Sequence, residues 1–224
     1  MKKHSGLNCL ALFVLILSLV VINGCCTSTI RELGNVKEHA SSGDFAWIAA
    51  QDIKCKETCD GCDQLHLLKG DACYRLAKEG KEPLNHYQCS AQYLETGIGM
   101  TKQWNLNRPQ TYANLCESLR NWRDLLTGGA ADTINERLLK DAQAFLAAEP
   151  GNSCGTYYVN NARYAKLRPR LLHPEKDAAL CGDLNSMFQS IDAGTVKTTG
   201  TACEANLEQI KKEVTEAKKI VSCP

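Results

Sequence analysis

The chain has 224 residues, 44% of them hydrophobic and 23% charged, with 26 basic and 25 acidic side chains. That length is enough for one well-buried core or for an array of repeats. The near-neutral balance, with no basic stripe, excludes a nucleic-acid binder and offers no polybasic patch to lipid headgroups.

The N-terminus reads as an export signal. Met1-Lys2-Lys3-His4 is short and positive, and an apolar run from Leu10 to Ile22 follows, interrupted only by Ser18. That run has the length of a signal-peptide core and is short for a helix that must cross about 30 Å of hydrocarbon. The segment Val21-Ile22-Asn23-Gly24-Cys25 then resembles a bacterial lipobox, with aliphatic Ile22, small Gly24 and the Cys25 thiol that would accept a diacylglyceryl group. Asn23 departs from the smaller residue usual at its place. The resemblance implies removal of residues 1–24, lipidation of Cys25, a tether over 25–28 and a folded domain over 29–224. It also implies a membrane-held lipoprotein facing the periplasm. Cys26 stands where enteric lipoproteins retained in the inner membrane carry Asp, so the outer membrane is favoured. Loss of Lys2 and Lys3 would leave 24 basic against 25 acidic side chains.

Everything beyond the leader has helical periodicity. Leu65, Leu68, Ala72 and Leu76 mark a helix over 62–78, and Tyr87, Ala91, Leu94 and Ile98 mark one over 84–98. Further stripes run through Tyr112, Leu115, Leu119 and Trp122 (111–126) and through Ile134, Leu138, Ala142 and Phe145 (133–148). Helices are expected as well over 154–167, over 175–191, and through Leu207, Ile210, Val214, Ala217 and Val221 at the C-terminus. Each stripe is one buried face, and no stretch alternates with the period of a strand, so the fold is predicted to be all-α. Breaks fall at Ser42-Gly43-Asp44, at Gly80 to Pro83 with Pro83 suited to a first helical turn, at Thr127-Gly128-Gly129, and at Glu149 to Ser153. Asp132 is the expected N-cap after the glycine pair. Connections this short make successive helices antiparallel neighbours. Thr96 to Pro109, which carries Met100 and Trp104, is expected to be a longer loop.

Three fragments resemble pieces of a tetratricopeptide repeat. Ser42-Gly43-Asp44-Phe45 is similar to its inter-helix turn. Leu68-Lys69-Gly70-Asp71-Ala72-Cys73-Tyr74 is similar to the middle of its first helix, where Gly lets helices approach. Ala147 to Asn152 is similar to its Pro-stopped end. No full copy of the repeat occurs, so the resemblance implies degenerate repeats: antiparallel hairpins stacked as a tetratricopeptide-like α-solenoid. Cysteine-rich Sel1-like proteins pair cysteines across each hairpin, a part that Cys73 and Cys89 would take. The layout also resembles that of the lipoprotein T-components associated with TRAP transporters, which implies an accessory role in solute uptake.

Of the 13 cysteines, Cys9 lies in the leader and Cys25 would carry the lipid. An exported chain oxidises its thiols, so Cys55, Cys59, Cys62, Cys73, Cys89, Cys116, Cys154, Cys181, Cys203 and Cys223 are the disulfide candidates, with Cys26 set aside beside the anchor. Spacing leaves their connectivity open, although Cys55 and Cys62 flank one turn and Cys73 and Cys89 lie on consecutive helices. The C-x3-C-x2-C run at Cys55, Cys59 and Cys62 has the spacing of a radical SAM cluster loop, but Gly61 stands where an aromatic is usual and the alternating strands and helices are missing. Cys59-Asp60-Gly61-Cys62 also has a thiol-oxidoreductase spacing without the preceding strand that lowers the thiol pKa. A zinc or iron–sulfur site using a fourth cysteine such as Cys73 is the metal alternative. Disulfides are favoured over each of these, and no cofactor or metal is expected.

His39, His66, His86 and His173 read as surface or capping residues, and no hydrolase, zinc-protease or phosphate-loop motif occurs. Tyr157, Tyr158 and Tyr164, with Trp122, Arg120 and Arg123, could line a groove or fill the core. Arg163, Arg168 and Arg170 form a basic cluster near Pro169. The chain is therefore expected to be a non-enzymatic scaffold that binds a protein or peptide of the envelope. The alternative is a solute-binding or transporter-accessory lipoprotein with a cleft between helices. An open groove with exposed aromatics would favour the first, and a closed apolar cavity the second.

Overall fold

A computed structural model describes residues 26–173, 179–195 and 203–223. The described residues form helices joined by short loops and contain no strand. Helix α1 covers 26–42, so it takes in 26–28. It is followed by α2 (Phe45–Ala50), α3 (Cys62–Lys78), α4 (Pro83–Met100), α5 (Arg108–Asp124) and α6 (Gly128–Ala148). Then come α7 (Ser153–Leu167), a 3-10 turn (Arg168–Leu172), α8 (Leu180–Thr195) and α9 (Glu204–Ile220).

The breaks obey local chemistry. Gly43 has φ 77° and Asp44 accepts a bond from the Trp47 amide at 3.2 Å, which starts α2. Pro83 opens α4, as its preset φ and missing N–H suit. Asn107 caps α5, and Asn152 caps α7 by accepting from the Cys154 and Gly155 amides at 2.9 and 3.2 Å. Two expectations fail here. Helix α6 starts at Gly128, with Thr127 at the N-cap position, so Asp132 lies inside the helix. Residues 96–100 belong to α4, which shortens the expected loop to 101–107. Trp104 in that loop packs 5.9 Å from Tyr112, which stacks on Phe145 at 5.3 Å, so it serves packing.

A small apolar cluster of Val36, Ile48, Leu65 and Ala72 joins α1 and α2 to α3. The main core runs from α3 to α9 through fully buried side chains such as Leu94, Leu119, Leu138, Phe145, Leu184 and Leu207. Glycine sets the closest approach. A Cβ on Gly70 of α3 would lie 2.6 Å from Leu94 Cγ, and one on Gly97 of α4 would lie 2.7 Å from Leu67 Cδ2, so these two helices cross nearly backbone to backbone. Consecutive helices pack against each other, and α3 also touches α5, α5 touches α7, and α7 touches α9. The odd-numbered helices from α3 onward therefore form one continuous face.

Five disulfides staple the described chain: Cys26–Cys59, Cys55–Cys62, Cys73–Cys89, Cys154–Cys203 and Cys181–Cys223. Cys116 is the exception among the disulfide candidates: it is a free, buried thiol. It lies on the core face of α5 beside Leu115, where it packs as a small apolar side chain, and burial pushes its pKa well up. Its place among the bonded cysteines is taken by Cys26, which ties the first turn of α1 to Cys59.

Candidate functional site

The face formed by α3, α5, α7 and α9 carries a row of polar and aromatic side chains. On α7, Tyr157, Asn161 and Tyr164, continued by Arg168 in the 3-10 turn, repeat at four, three and four residues, which puts them on one stripe. The opposite stripe of α7, through Val159 and Ala162, is in the core. On α3, Asp71, Tyr74 and Lys78 keep the same period, as do Asn114 and Glu117 on α5 and Asn206, Gln209 and Glu213 on α9. Two clefts open along this face. One, of about 230 Å³, is lined by Arg123, Tyr157, Asn161, Tyr164, Arg168, Gln209 and Glu213 among others. The other, of about 400 Å³, is lined by Phe45, Asp71, Tyr74, Arg75, Gln110 and Asn114 among others.

A hydrogen-bond chain links the helices beneath them. The Asn114 amide donates to Asp71 at 3.0 Å, Tyr74 Oη donates to Glu117 Oε2 at 2.6 Å, and Lys78 Nζ donates to Glu117 Oε1 at 2.8 Å. Arg120 lies 4.0 Å from Glu117 and donates to Tyr157 Oη at 2.8 Å. Farther along, Arg168 pairs with Glu213 at 3.2 Å and covers the Tyr164 ring at 5.3 Å. Burial alone would raise the Glu117 pKa, but the bonds from Lys78 and Tyr74 and the charges of Lys78 and Arg120 outweigh it and hold the carboxylate below its usual range. Burial, then the bond to Glu117, pushes the Tyr74 phenol up beyond any physiological titration. The row thus holds fixed charges: an anion at Glu117 and cations at Lys78 and Arg120. Asn161 Oδ1, a buried atom of a cleft-lining residue, accepts no hydrogen bond among the described residues.

The residues singled out in the sequence distribute as follows. Tyr157, Tyr164, Arg120 and Arg123 come together on this face, although Tyr157, like Tyr158, is buried in the core. Trp122 packs on the core and lies under Arg137 at 5.0 Å. Of the basic cluster, Arg168 and Arg170 are paired with Glu213 and Asp183. Cys59 and Cys62, the ends of the C-x-x-C, bond to different partners, so they do not form a redox pair with each other. His39 stacks on Trp47 at 3.7 Å and bonds Asp44, while His66 lies against the Cys55–Cys62 bridge. Residues 1–24 and Cys25 lie outside the described residues. Among those described, no helix is long and apolar enough to cross a membrane.

The sequence did not mark the polar ladder of Asp71, Tyr74, Asn114 and Glu117 as a site. The signal available was the i, i+3, i+4 recurrence of polar groups opposite each apolar stripe, which a solvated helix face also shows.

One ionisable pair lies elsewhere. Asp141 of α6 sits beside Glu95 of α4, which Arg137 clamps at 2.6 Å. Burial, then the hydrogen bond and negative charge of Glu95, pushes the Asp141 pKa up to about 7. The folded protein therefore holds a proton between its ordinary value of 3.8 and about 7 that the unfolded chain has lost. Native stability contributed by this group is fully present only below 3.8, falls as pH rises across that window, and levels off above about 7. Asp141→Asn is expected to raise stability more at pH 8 than at pH 5, where only part of the window between the two pKa values has been crossed. Urea unfolding of both proteins at the two pH values checks it; equal differences at both would show that Asp141 titrates normally.

Comparison with protein-family models, with curated proteins and with solved structures finds no match for this chain.

Proposed function

We propose that this chain is a lipid-anchored envelope protein whose helices form a degenerate, tetratricopeptide-like array, and that the odd-numbered helix face binds an extended segment of a protein partner. The observation that carries this reading is the continuity of that face. Contacts between alternate helices turn one stripe from each of α3, α5, α7 and α9 to the same side. Stacked helical pairs expose such extended surfaces, and binding is how they serve. Half-exposed Tyr164 and exposed Arg168 supply contact area to a partner, and the amide groups of Asn161 and Gln209 suit the donors and acceptors of a peptide backbone. Both clefts are open to solvent along the face and neither is an enclosed apolar cavity. That favours a partner over an enclosed solute.

The anchor and the face are tested separately. Cys25→Ser is expected to abolish fatty-acid labelling and to release the mature protein from membranes; a cleaved, unlabelled protein that still sediments with membranes would refute the anchor. For the face, a photo-cross-linking amino acid at Gln110 or Gln209 is expected to give a discrete adduct in the native host, lost on Tyr164→Ala. The same probe at Gln92 or Lys140, exposed on α4 and α6, should give none. Equal adducts from both faces, or none from the odd-helix face, would reject the binding site.

A further inference from the structure

Cys55, Cys62 and His66 converge at the start of α3, where Cys62 is fully buried and Cys55 and His66 are half-buried. His66 follows Cys62 by one helical turn, and its Nδ1 lies 3.9 Å from Cys55 Sγ and 3.8 Å from Cys62 Sγ. The three donor atoms lie within 4.8 Å of one another. A tetrahedral zinc ion takes sulfur at about 2.3 Å and nitrogen at about 2.0–2.1 Å, which puts its ligand atoms roughly 3.5–3.8 Å apart. Nδ1 already stands at that distance from both sulfurs, so the site lacks only separation of the two sulfurs from each other. We infer that Cys55, Cys62 and His66 form a thiol-gated site for one thiophilic divalent cation of the zinc class, closed by the disulfide and opened by a dithiol reductant.

The gating chemistry balances. A thiolate of the reductant attacks the accessible Cys55 sulfur, the Cys55–Cys62 bond breaks, and Cys62 leaves as a thiolate at the first residue of α3. The second thiol of the reductant then resolves the mixed disulfide. Cys55 and Cys62 are thus reduced by two electrons while the dithiol becomes a disulfide. Binding of the cation releases the thiol protons. His66 Nδ1, which faces the Cys62 carbonyl oxygen at 2.9 Å, gives up its proton while Nε2 takes one from water, so that a neutral imidazole offers the third ligand. Two thiolates neutralise the ion, and a water completes the fourth position as in open zinc sites. This bridge is also the one whose opening loosens the chain least. Its cysteines are 7 residues apart, against 33, 16, 49 and 42 for the other pairs.

The test uses the full chain in detergent, kept anaerobic and treated with graded dithiothreitol. Alkylation mapping is expected to find Cys55 and Cys62 free at dithiol concentrations that leave the other four bridges intact. Cobalt(II), added after the dithiothreitol has been removed by anaerobic gel filtration, should bind one to one with thiolate-to-metal absorption and the visible bands of a four-coordinate ion. His66→Gln, which leaves every cysteine in place, should weaken binding about tenfold or more. Cys55→Ser/Cys62→Ser should abolish it, and Cys73→Ser/Cys89→Ser should not alter it. Helicity by circular dichroism confirms that each variant is folded, and His66→Gln carries the test if the double serine variant is not. Absorption in the unreduced protein, its persistence without Cys55 and Cys62, its indifference to His66→Gln, or earlier opening of another bridge would each overturn the proposal.

Discussion

Replacing Cys154 and Cys203 together with alanine is expected to lower the unfolding free energy by about 4 kcal/mol, from the entropy that a closed loop of this length removes from the unfolded chain. The bond joins the first turn of α7 to the residue before α9 across a separation of 49, with its Cα atoms 5.0 Å apart. Cutting it frees α9 to leave the core, where Leu207, Ile210 and Val214 are buried. The corresponding loss for Cys55→Ala/Cys62→Ala is about 2.5 kcal/mol, because that loop is short. In a domain of this size each kcal/mol moves the midpoint by about 2–4 °C, so the two double variants should melt about 8–16 °C and about 5–10 °C below the parent. Thermal melts followed by circular dichroism measure both. Equal shifts, or a shift below about 4 °C for the longer loop, would mean that the cross-links do not stabilise by restricting the unfolded chain.

The second large effect is at the crossing of α3 and α4. An alanine in place of a mid-helix glycine ordinarily stabilises by about 0.5–1 kcal/mol. At Gly70 the sign should reverse, because a Cβ would meet the Leu94 backbone nitrogen at 2.9 Å as well as the Leu94 side chain. A side chain can turn aside, but a helix backbone cannot without parting the two helices. Gly97 meets Leu67 in the same way, its nearest backbone atom being the Leu67 nitrogen at 3.0 Å. Gly70→Val, with its extra methyl groups, should cost about 3 kcal/mol and lower the midpoint by about 6–12 °C. Gly34 of α1 has nothing within 4 Å of the added atom, so Gly34→Ala should raise the midpoint slightly. A Gly70→Val protein as stable as the parent would show that the helices do not cross this closely.

The helices were legible because each buries one stripe, and burial of a stripe leaves a period in the chain. Leu65, Leu94, Leu119, Leu138, Phe145 and Leu207 were all expected on buried faces, and all are buried. Turns were legible where a single residue type is demanded, as at Gly43, Gly80 and Pro83. Asp132 misled because a good capping residue after two glycines looks like a helix start, whereas Gly128 and Gly129 join the first turn of α6. The loop at 96–109 misled in a similar way, since Gly97 and Gly99 suggest a break. Gly97 lies inside α4 because the contact with Leu67 of α3 requires its missing side chain.

Of the candidate site, the sequence offered Tyr157, Tyr164, Arg120 and Arg123 but no reason to prefer a groove over a core. Their stripe was visible; the stripes facing it were not, because nothing in the chain states which helix lies next but one. The cysteines divide along the same line. Composition and the expected export predicted disulfides, and local order along the chain suggested Cys55 with Cys62 and Cys73 with Cys89, the two pairs closest in sequence. Cys26–Cys59, Cys154–Cys203 and Cys181–Cys223 span 33 to 49 residues and depend on how the helices stack. Cys116 differs from its bonded relatives in nothing that the chain displays; it is buried in the packed interior and bonds to none of the described cysteines. The sequence alone determined the all-helical class and the buried stripes, since those follow from interactions within a turn or two, and it suggested the two cross-links shortest in sequence. Tertiary packing decided the long cross-links, the lone thiol, the shared odd-helix face and the meeting of His66 with two sulfurs, since those require helices distant in sequence or the loop before α3 to take one position in space.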